Sequence, residues 1–483
     1  LKNYRIITAF SIGSLIATCV AAIVFHSPCR LVHGVTDDQS TQSATNRRVD
    51  NVAIDSPTNA PPRIQIAAIV TTFFPNSHAG VLVDKFLRGF PTDDGILPPR
   101  STIASIYIDQ IHERDIGRQL AYEFGIPVYE SIRSALRLGG DKLAVDAVLI
   151  IGEHGDYPRT PLGQEMVPRR YFFEQVIGVM GESKRIVPLF SDKHFSYRWD
   201  DAHWMYETAK KMQIPFWAGS TMPVAWRRPN WEHPAGEPVN QALVIGFHMV
   251  ERYGFHALEI LQSQVERRQG GETGVKSVQC LSGDEVWRSG DDGRWSIALA
   301  NAALNTIEDG PHPLDRTQVD DPHVFLIEYV DGLKAAVLML GETYVKKFAY
   351  AEQRSGTMSA LEYHSASGPA HGVFGYLAAN IEDFFISGVQ PSPVERTYLT
   401  TGILEAALIS RSQGGKKIPT PHLSEIGYQQ SGHPRRPIGE RPTGASSGEW
   451  KTLEPGKTPA AESIPIVLDG TIRKHGTKPT GSR

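Results

Sequence analysis

Short apolar runs alternate along the first half of the chain with stretches whose apolar residues recur every three or four positions. The clearest unit is residues 186–220. Its opening run, 186–190, is rich in β-branched and aromatic residues and predicts a buried strand. A polar turn follows: Ser191, Asp192, Lys193 and His194. Apolar or aromatic residues at 199, 202, 205, 206, 209 and 212 then share one helical face, and 214–218 predicts the next strand. Lys193 and His194 therefore stand where a parallel strand gives way to a helix. That is the carboxyl end, where open α/β sheets bind ligands.

The same alternation precedes this unit. Strands are predicted at 63–70, 101–108, 126–129 and 145–151, with helices at 79–87, 115–124, 132–138 and 169–180. Strands and helices in turn at this spacing predict an α/β, Rossmann-like, doubly wound parallel sheet over residues 63–222. Beyond Trp226 the pattern changes. Strands are predicted at 242–248, 275–281 and 344–351, and helices at 255–267, 374–386 and 394–412. Two apolar runs, 323–330 and 333–340, flank Asp331-Gly332 and predict a β-hairpin whose turn needs a positive φ. Hairpins with helices on one side predict an α+β domain over 223–423 with an open, mostly antiparallel sheet. From 424 to 483, Gly, Pro, Ser, Lys and Arg predominate, which predicts a disordered tail with one apolar patch at 464–468.

Composition narrows the function classes. Lys+Arg 49 against Asp+Glu 53 gives a net charge of -4, without the footprint of a nucleic-acid binder. Three cysteines, Cys19, Cys29 and Cys280, offer neither a disulfide framework nor a metal knuckle. Lys2 and Arg5 precede an uncharged apolar run at 6–25, so residues 1–30 predict a membrane anchor or signal segment. Residues 31–62 are polar and read as a flexible linker. The protein is thus expected to be exported, whether membrane-anchored, periplasmic or extracellular.

Four local patterns in this order resemble the Gfo/Idh/MocA family, the glucose-fructose oxidoreductase and inositol dehydrogenase group. They are FGIPVY at 124–129 leading to the strand at 145–151, and Ser191 to Lys193 followed by a helix and IPFWAGS. The others are YGFHALEI at 253–260 and the closing helices near 381–393 and 403–419. The resemblance implies a Rossmann domain for NAD or NADP and a second domain that carries a sugar or polyol and whose exposed sheet face can support a homo-oligomer. It implies that Lys193 holds the reacting hydroxyl and that His256 is its acid–base partner. Removing an alcohol proton as hydride leaves suits such a pair. It also places Asp109, at the end of the second strand, on a cofactor ribose hydroxyl, and Glu153 and His154 beside the nicotinamide and substrate.

The chain departs from that pattern. Where the family has a glycine-rich turn, residues 71–80 read TTFFPNSHAG, so phosphate contacts fall to the hydroxyls of Thr71, Thr72 and Ser77. His194 replaces a proline after Lys193, and Arg252 stands where an aspartate precedes the histidine. His194 and Arg227, the latter with Trp226 and Arg228, are candidates to bind substrate. Two other functions fit the residues: a non-catalytic carbohydrate binder on the same fold, and a metal-dependent hydrolase or lyase using His78, His154 and His194.

Overall fold

The computed structural model describes residues 63–365, 368, 370–448, 465–468 and 471–474. The anchor and linker expected at 1–62 lie outside the described residues. Among the described residues no helix is long and apolar enough to cross a membrane.

The first half runs β1 (Ile64–Val70), α1 (His78–Arg88), β2 (Phe90–Thr92), β3 (Gly95–Leu97), β4 (Ser101–Ile108), α2 (Gly117–Glu123), β5 (Val128–Tyr129), α3 (Ile132–Arg137) and β6 (Ala147–Ile151). It continues with α4 (Arg169–Ser183), β7 (Leu189–Asp192), α5 (Trp199–Lys211) and β8 (Phe216–Gly219). Strands β5-β4-β1-β6-β7-β8 pair in that order, all parallel. Every residue of β6 is buried, as a parallel strand covered on both faces requires. Local chemistry fixes the helix starts. Ser131 Oγ accepts the Ser134 N–H at 3.1 Å to cap α3, while α5 carries Asp200 and Asp201 in its first turn and Lys210 and Lys211 in its last, matching the helix dipole. The strand order reverses between β1 and β6. Turns 71–77 and 152–156 therefore lie side by side at the crevice where such sheets hold ligands.

The second half contains β9 (Trp226–Arg228), β10 (Gln241–Gly246), α6 (Val250–Val265), β11 (Val275–Ser282), α7 (Asp284–Asp291), α8 (Ile297–Leu304), β12 (Pro322–Tyr329) and β13 (Lys334–Leu340). It closes with β14 (Phe348–Arg354), β15 (Thr357–His364), α9 (Gly372–Ser387), α10 (Glu395–Ser412) and β16 (Ile418–Pro419). These form a mixed sheet, β16-β11-β12-β13-β10-β14-β15-β9, in which β10 and β13 pair parallel and the other neighbours antiparallel. The β12–β13 hairpin turns through Val330, Asp331 and Gly332: Tyr329 N–H donates to Leu333 O at 2.9 Å, and Gly332 supplies φ +94°. The loop is one residue longer than the predicted Asp-Gly pair, with glycine in the left-handed position that longer turns favour. One apolar cluster includes Ile66 of β1, Leu377 of α9 and Val337 of β13, so packed helices join the two sheets.

The tail departs from expectation. Residues 424–448 pack on the second domain through polar contacts that no apolar periodicity announces. Tyr428 Oη donates to Glu266 Oε2 at 2.9 Å, Arg435 N–H donates to Asn380 Oδ1 at 2.7 Å, and Ser446 is buried. Further on, β17 (Pro465–Leu468) falls on the predicted apolar patch, pairing with β18 (Thr471–Lys474) and with β5. Helices α7 and α8 were not predicted. The first is short and glycine-interrupted, and the second, IALANAAL, is apolar on nearly every side and gives no helical stripe.

Candidate active site

Lys193 leaves the end of β7 with φ +73°, a left-handed conformation that is costly for a side chain with a Cβ. Its N–H donates to Gly219 O at 2.9 Å, which fixes the bend. The bend aims the side chain at α6, where Lys193 Nζ lies 2.9 Å from His256 Nε2. The other ring nitrogen, Nδ1, is 2.7 Å from Ser220 Oγ. Burial first, and the Lys193 charge next, hold the His256 pKa well below its ordinary value, so the ring is neutral. An ammonium only donates, which makes Nε2 the acceptor and puts the ring proton on Nδ1, donating to Ser220 Oγ. That oxygen also accepts the Met222 N–H at 3.1 Å.

Glu153, just past β6, anchors the opposite side. Its carboxylate lies 3.2 Å from Lys193 Nζ, 3.2 Å from His78 Nε2 and 3.2 Å from His154 Nε2, and accepts the His78 N–H at 2.8 Å. Burial acts to raise its pKa, but His78, Lys193 and His154 outweigh burial and hold it well below the carboxylate range. His78 Nδ1 in turn faces Asp192 Oδ2 at 2.6 Å, and Asp192 is fully buried. Lys193, His256, Glu153, His154 and His78 wall a cavity of about 440 Å³, with Tyr253 and Phe374 supplying apolar surface and Asp192 and Ser220 behind them. That volume suits a small ligand such as a monosaccharide.

The structure thus brings Lys193, His256, Glu153 and His154 together, and adds His78, Asp192 and Ser220. Ser220 was missed, although it lies two residues past a predicted strand end and directly follows β8, a place like that of Lys193 after β7. Other candidates stand elsewhere. His194 turns behind Lys193: its Nδ1 is 2.7 Å from Ser196 O and the Arg169 guanidinium is 3.4 Å away, and burial, then Arg169, push its pKa well down. It does not line that cavity; with Glu153, Lys193 and Arg252 it lines an adjoining pocket of about 20 Å³, too small for the substrate it is expected to bind. Arg227 is fully buried in another pocket, paired with Glu232 at 2.5 Å and donating to Pro223 O at 2.8 Å, so it too misses the crevice. Trp226 packs the junction, its Nε1–H donating to Asp93 Oδ2 at 3.0 Å. His78, His154 and His194 do not converge, and no group of three or more His, Cys, Asp or Glu among the described residues is arranged to hold a metal.

The nucleotide side of the crevice is filled by the chain itself. Thr71 Oγ1 accepts the Glu153 N–H at 3.2 Å, and Thr72 Oγ1 donates to His154 O at 3.2 Å. Ser77 Oγ caps α1 by accepting the Gly80 N–H at 3.1 Å and donates to Phe74 O at 2.7 Å. All three hydroxyls assigned to phosphate are therefore engaged in holding the turn. Phe73 is fully buried against Gly117, where an added Cβ would lie 2.6 Å from its ring. Phe74 stacks on His112 at 4.3 Å. Both oxygens of Asp109 accept tyrosine hydroxyls, from Tyr107 and Tyr157, each at 2.7 Å. At the start of α1, where a pyrophosphate needs free N–H donors, the Glu153 carboxylate and the Phe74 carbonyl already sit. A polyanion would meet two acceptor oxygens there, so these residues do not fit a dinucleotide. The packing is tight: a Cβ on Gly80 would lie 2.3 Å from Phe74 O. Gly80→Ala is expected to lower stability by about 1–3 kcal/mol, read as an earlier urea midpoint.

No protein-family model and no curated protein matches the sequence. Solved structures of similar architecture are nicotinamide-binding dehydrogenases of the Gfo/Idh/MocA type at low identity. GenD2 from gentamicin A biosynthesis, in complex with NAD, is 14% identical over 76% of this chain and 99% of its own, with a TM-score of 0.47. The myo-inositol dehydrogenase from Lactobacillus casei, in complex with NAD(H) and myo-inositol, is 10% identical over 74% and 97%, at 0.46. The apo scyllo-inositol dehydrogenase from the same organism is 8% identical over 74% and 98%, also at 0.46.

Proposed function

We propose that the protein takes a sugar- or polyol-derived molecule into the crevice and carries out redox-neutral acid–base chemistry at a hydroxyl-bearing carbon. The observation that carries this reading is the buried contact of 2.9 Å between Lys193 Nζ and His256 Nε2 on the wall of the cavity. A neutral imidazole is a base, and an ammonium held by Glu153 is an acid and an oxyanion partner. On an α-hydroxy carbonyl substrate, Lys193 turns to the carbonyl oxygen and frees His256 Nε2. His256 takes the proton from the adjacent hydroxyl-bearing carbon, and the C–H electron pair moves toward the oxygen held by Lys193. Passing the proton of the neighbouring hydroxyl to the oxygen held by Lys193, while His256 returns the carbon-bound proton to the former carbonyl carbon, makes the second carbon the carbonyl and completes an isomerisation, with no electron acceptor needed.

A second reading, NAD- or NADP-dependent oxidation of a secondary alcohol, is favoured by the place of Lys193 at a strand's carboxyl end beside the crevice. It requires Glu153 and the 71–77 turn to vacate the start of α1. Export or membrane anchoring belongs to the proposal on the strength of residues 6–25 alone.

Incubation with a panel of ketoses and aldoses in D₂O separates the two. Deuterium is expected at the carbon beside the carbonyl, seen by NMR, without any nucleotide added. Exchange or turnover that appears only with NAD or NADP would overturn the redox-neutral reading in favour of the second.

A further inference from the structure

A second pocket, of about 200 Å³, opens where the packed tail crosses the ends of α6 and α10. Among the described residues, Arg227, Arg267, Arg396 and Arg436 line it against two carboxylates, Glu232 and Glu266. Glu266 is consumed by Arg396, whose Nε donates to it at 2.9 Å, and by Tyr428 at 2.9 Å. Glu232 is shared among three guanidinium groups, at 2.5 Å from Arg227, 3.5 Å from Arg267 and 3.7 Å from Arg436. One carboxylate thus faces three cations. Burial, and then the neighbouring Arg227 charge, lower the Arg436 pKa, as crowding of positive charge dictates.

Donors are also left over. Arg227 Nε is buried with no hydrogen-bond partner among the described residues, a costly omission in an interior. Arg436 uses Nη1 on Asn230 Oδ1 at 2.7 Å, and Arg267 uses Nε on His233 O at 2.7 Å. Their Nη2 groups make the longer contacts to Glu232, at 3.5 Å from Arg267 and 3.7 Å from Arg436. Forked guanidinium donors in excess of carboxylates suit a tetrahedral oxyanion, which accepts several such bonds at once.

We propose that this pocket binds a phosphate-type dianion, free or as the ester of a small metabolite, between Arg227, Arg267 and Arg436. The site draws on residues separate from the Lys193–His256 crevice, so it stands or falls independently of the reaction. The tail supplies Arg436, and binding therefore ties residues 430–436 to the second domain.

The test is thermal unfolding of the full chain at constant ionic strength, with inorganic phosphate exchanged for chloride. A saturable rise in Tm is expected with phosphate, and the apparent Kd should weaken at least tenfold in Arg267→Gln/Arg436→Gln, two half-buried positions whose loss leaves the core untouched. Glycerol 3-phosphate in a parallel titration separates the sources: tighter binding than phosphate identifies an ester, and weaker binding the free ion. Equal rises in phosphate and chloride, or an undiminished rise in the double variant, would overturn the proposal. Far-UV circular dichroism of the variant confirms that a lost response is not lost folding.

Discussion

Lys193→Ala is expected to cut proton exchange at the substrate carbon by about 10²–10⁴-fold, the range for removal of one acid–base group. The variant should fold, because Lys193 stands at a cavity wall and its side-chain contacts to His256 and Glu153 are polar. Alanine keeps the unfavourable φ of +73° but not the charge. His256 then loses its Nε2 donor and gains nothing to hold a substrate oxygen. Substrate affinity should change far less than turnover, since the lysine acts on charge that develops during reaction. Deuterium incorporation followed by NMR, with circular dichroism as the folding control, measures both. Unchanged exchange would remove Lys193 from the reaction.

The second large effect concerns stability. Glu153→Gln keeps the shape and the acceptor for the His78 N–H but leaves Lys193 and His78 without their shared counter-charge. Breaking one partner of a buried ionic cluster costs on the order of 3–5 kcal/mol. The pH dependence follows from the direction of the shift. The folded-state pKa of Glu153 is depressed, so its contribution is fully present above the unfolded carboxylate value, about 4.3. It is lost as pH falls from there toward the folded value. His256 acts with the same sign one step higher: its folded pKa is also depressed, so its contribution is present above about 6.5 and lost as pH falls below it. Urea unfolding at a series of pH values should therefore show the gap between wild type and Glu153→Gln widest near neutrality and shrinking through the acid range. A gap that does not change with pH would mean that the glutamate acts by packing alone.

The parallel sheet was legible because its central strands are buried on both faces and read as unbroken apolar runs, as at residues 66–70 and Ala147–Ile151. The place of Lys193 could be read from the strand's carboxyl end, whereas His256 was paired with it through the family resemblance alone; the fold brings the two to 2.9 Å. Sequence spacing could not show that Glu153 reaches the start of α1, since that contact spans 75 positions. Nor could it show that the substitution of TTFFPNS for a glycine-rich turn would fold into a self-satisfied plug, with Ser77 Oγ bonded to both Phe74 and Gly80. The arginines of the tail pocket were hidden for the same reason. Their partners come from α6, α10 and a segment whose composition predicts disorder.

The crevice keeps an intact proton-transfer end, while its nucleotide end is occupied by the chain's own oxygens. Calorimetric titration of the purified protein with NAD, NADP and NADH tests it most directly. No saturable heat at millimolar nucleotide is expected, with deuterium exchange proceeding in the same sample. Stoichiometric nicotinamide binding at micromolar concentration would contradict it, and would show that Glu153 and Phe74 yield the start of α1 to a pyrophosphate.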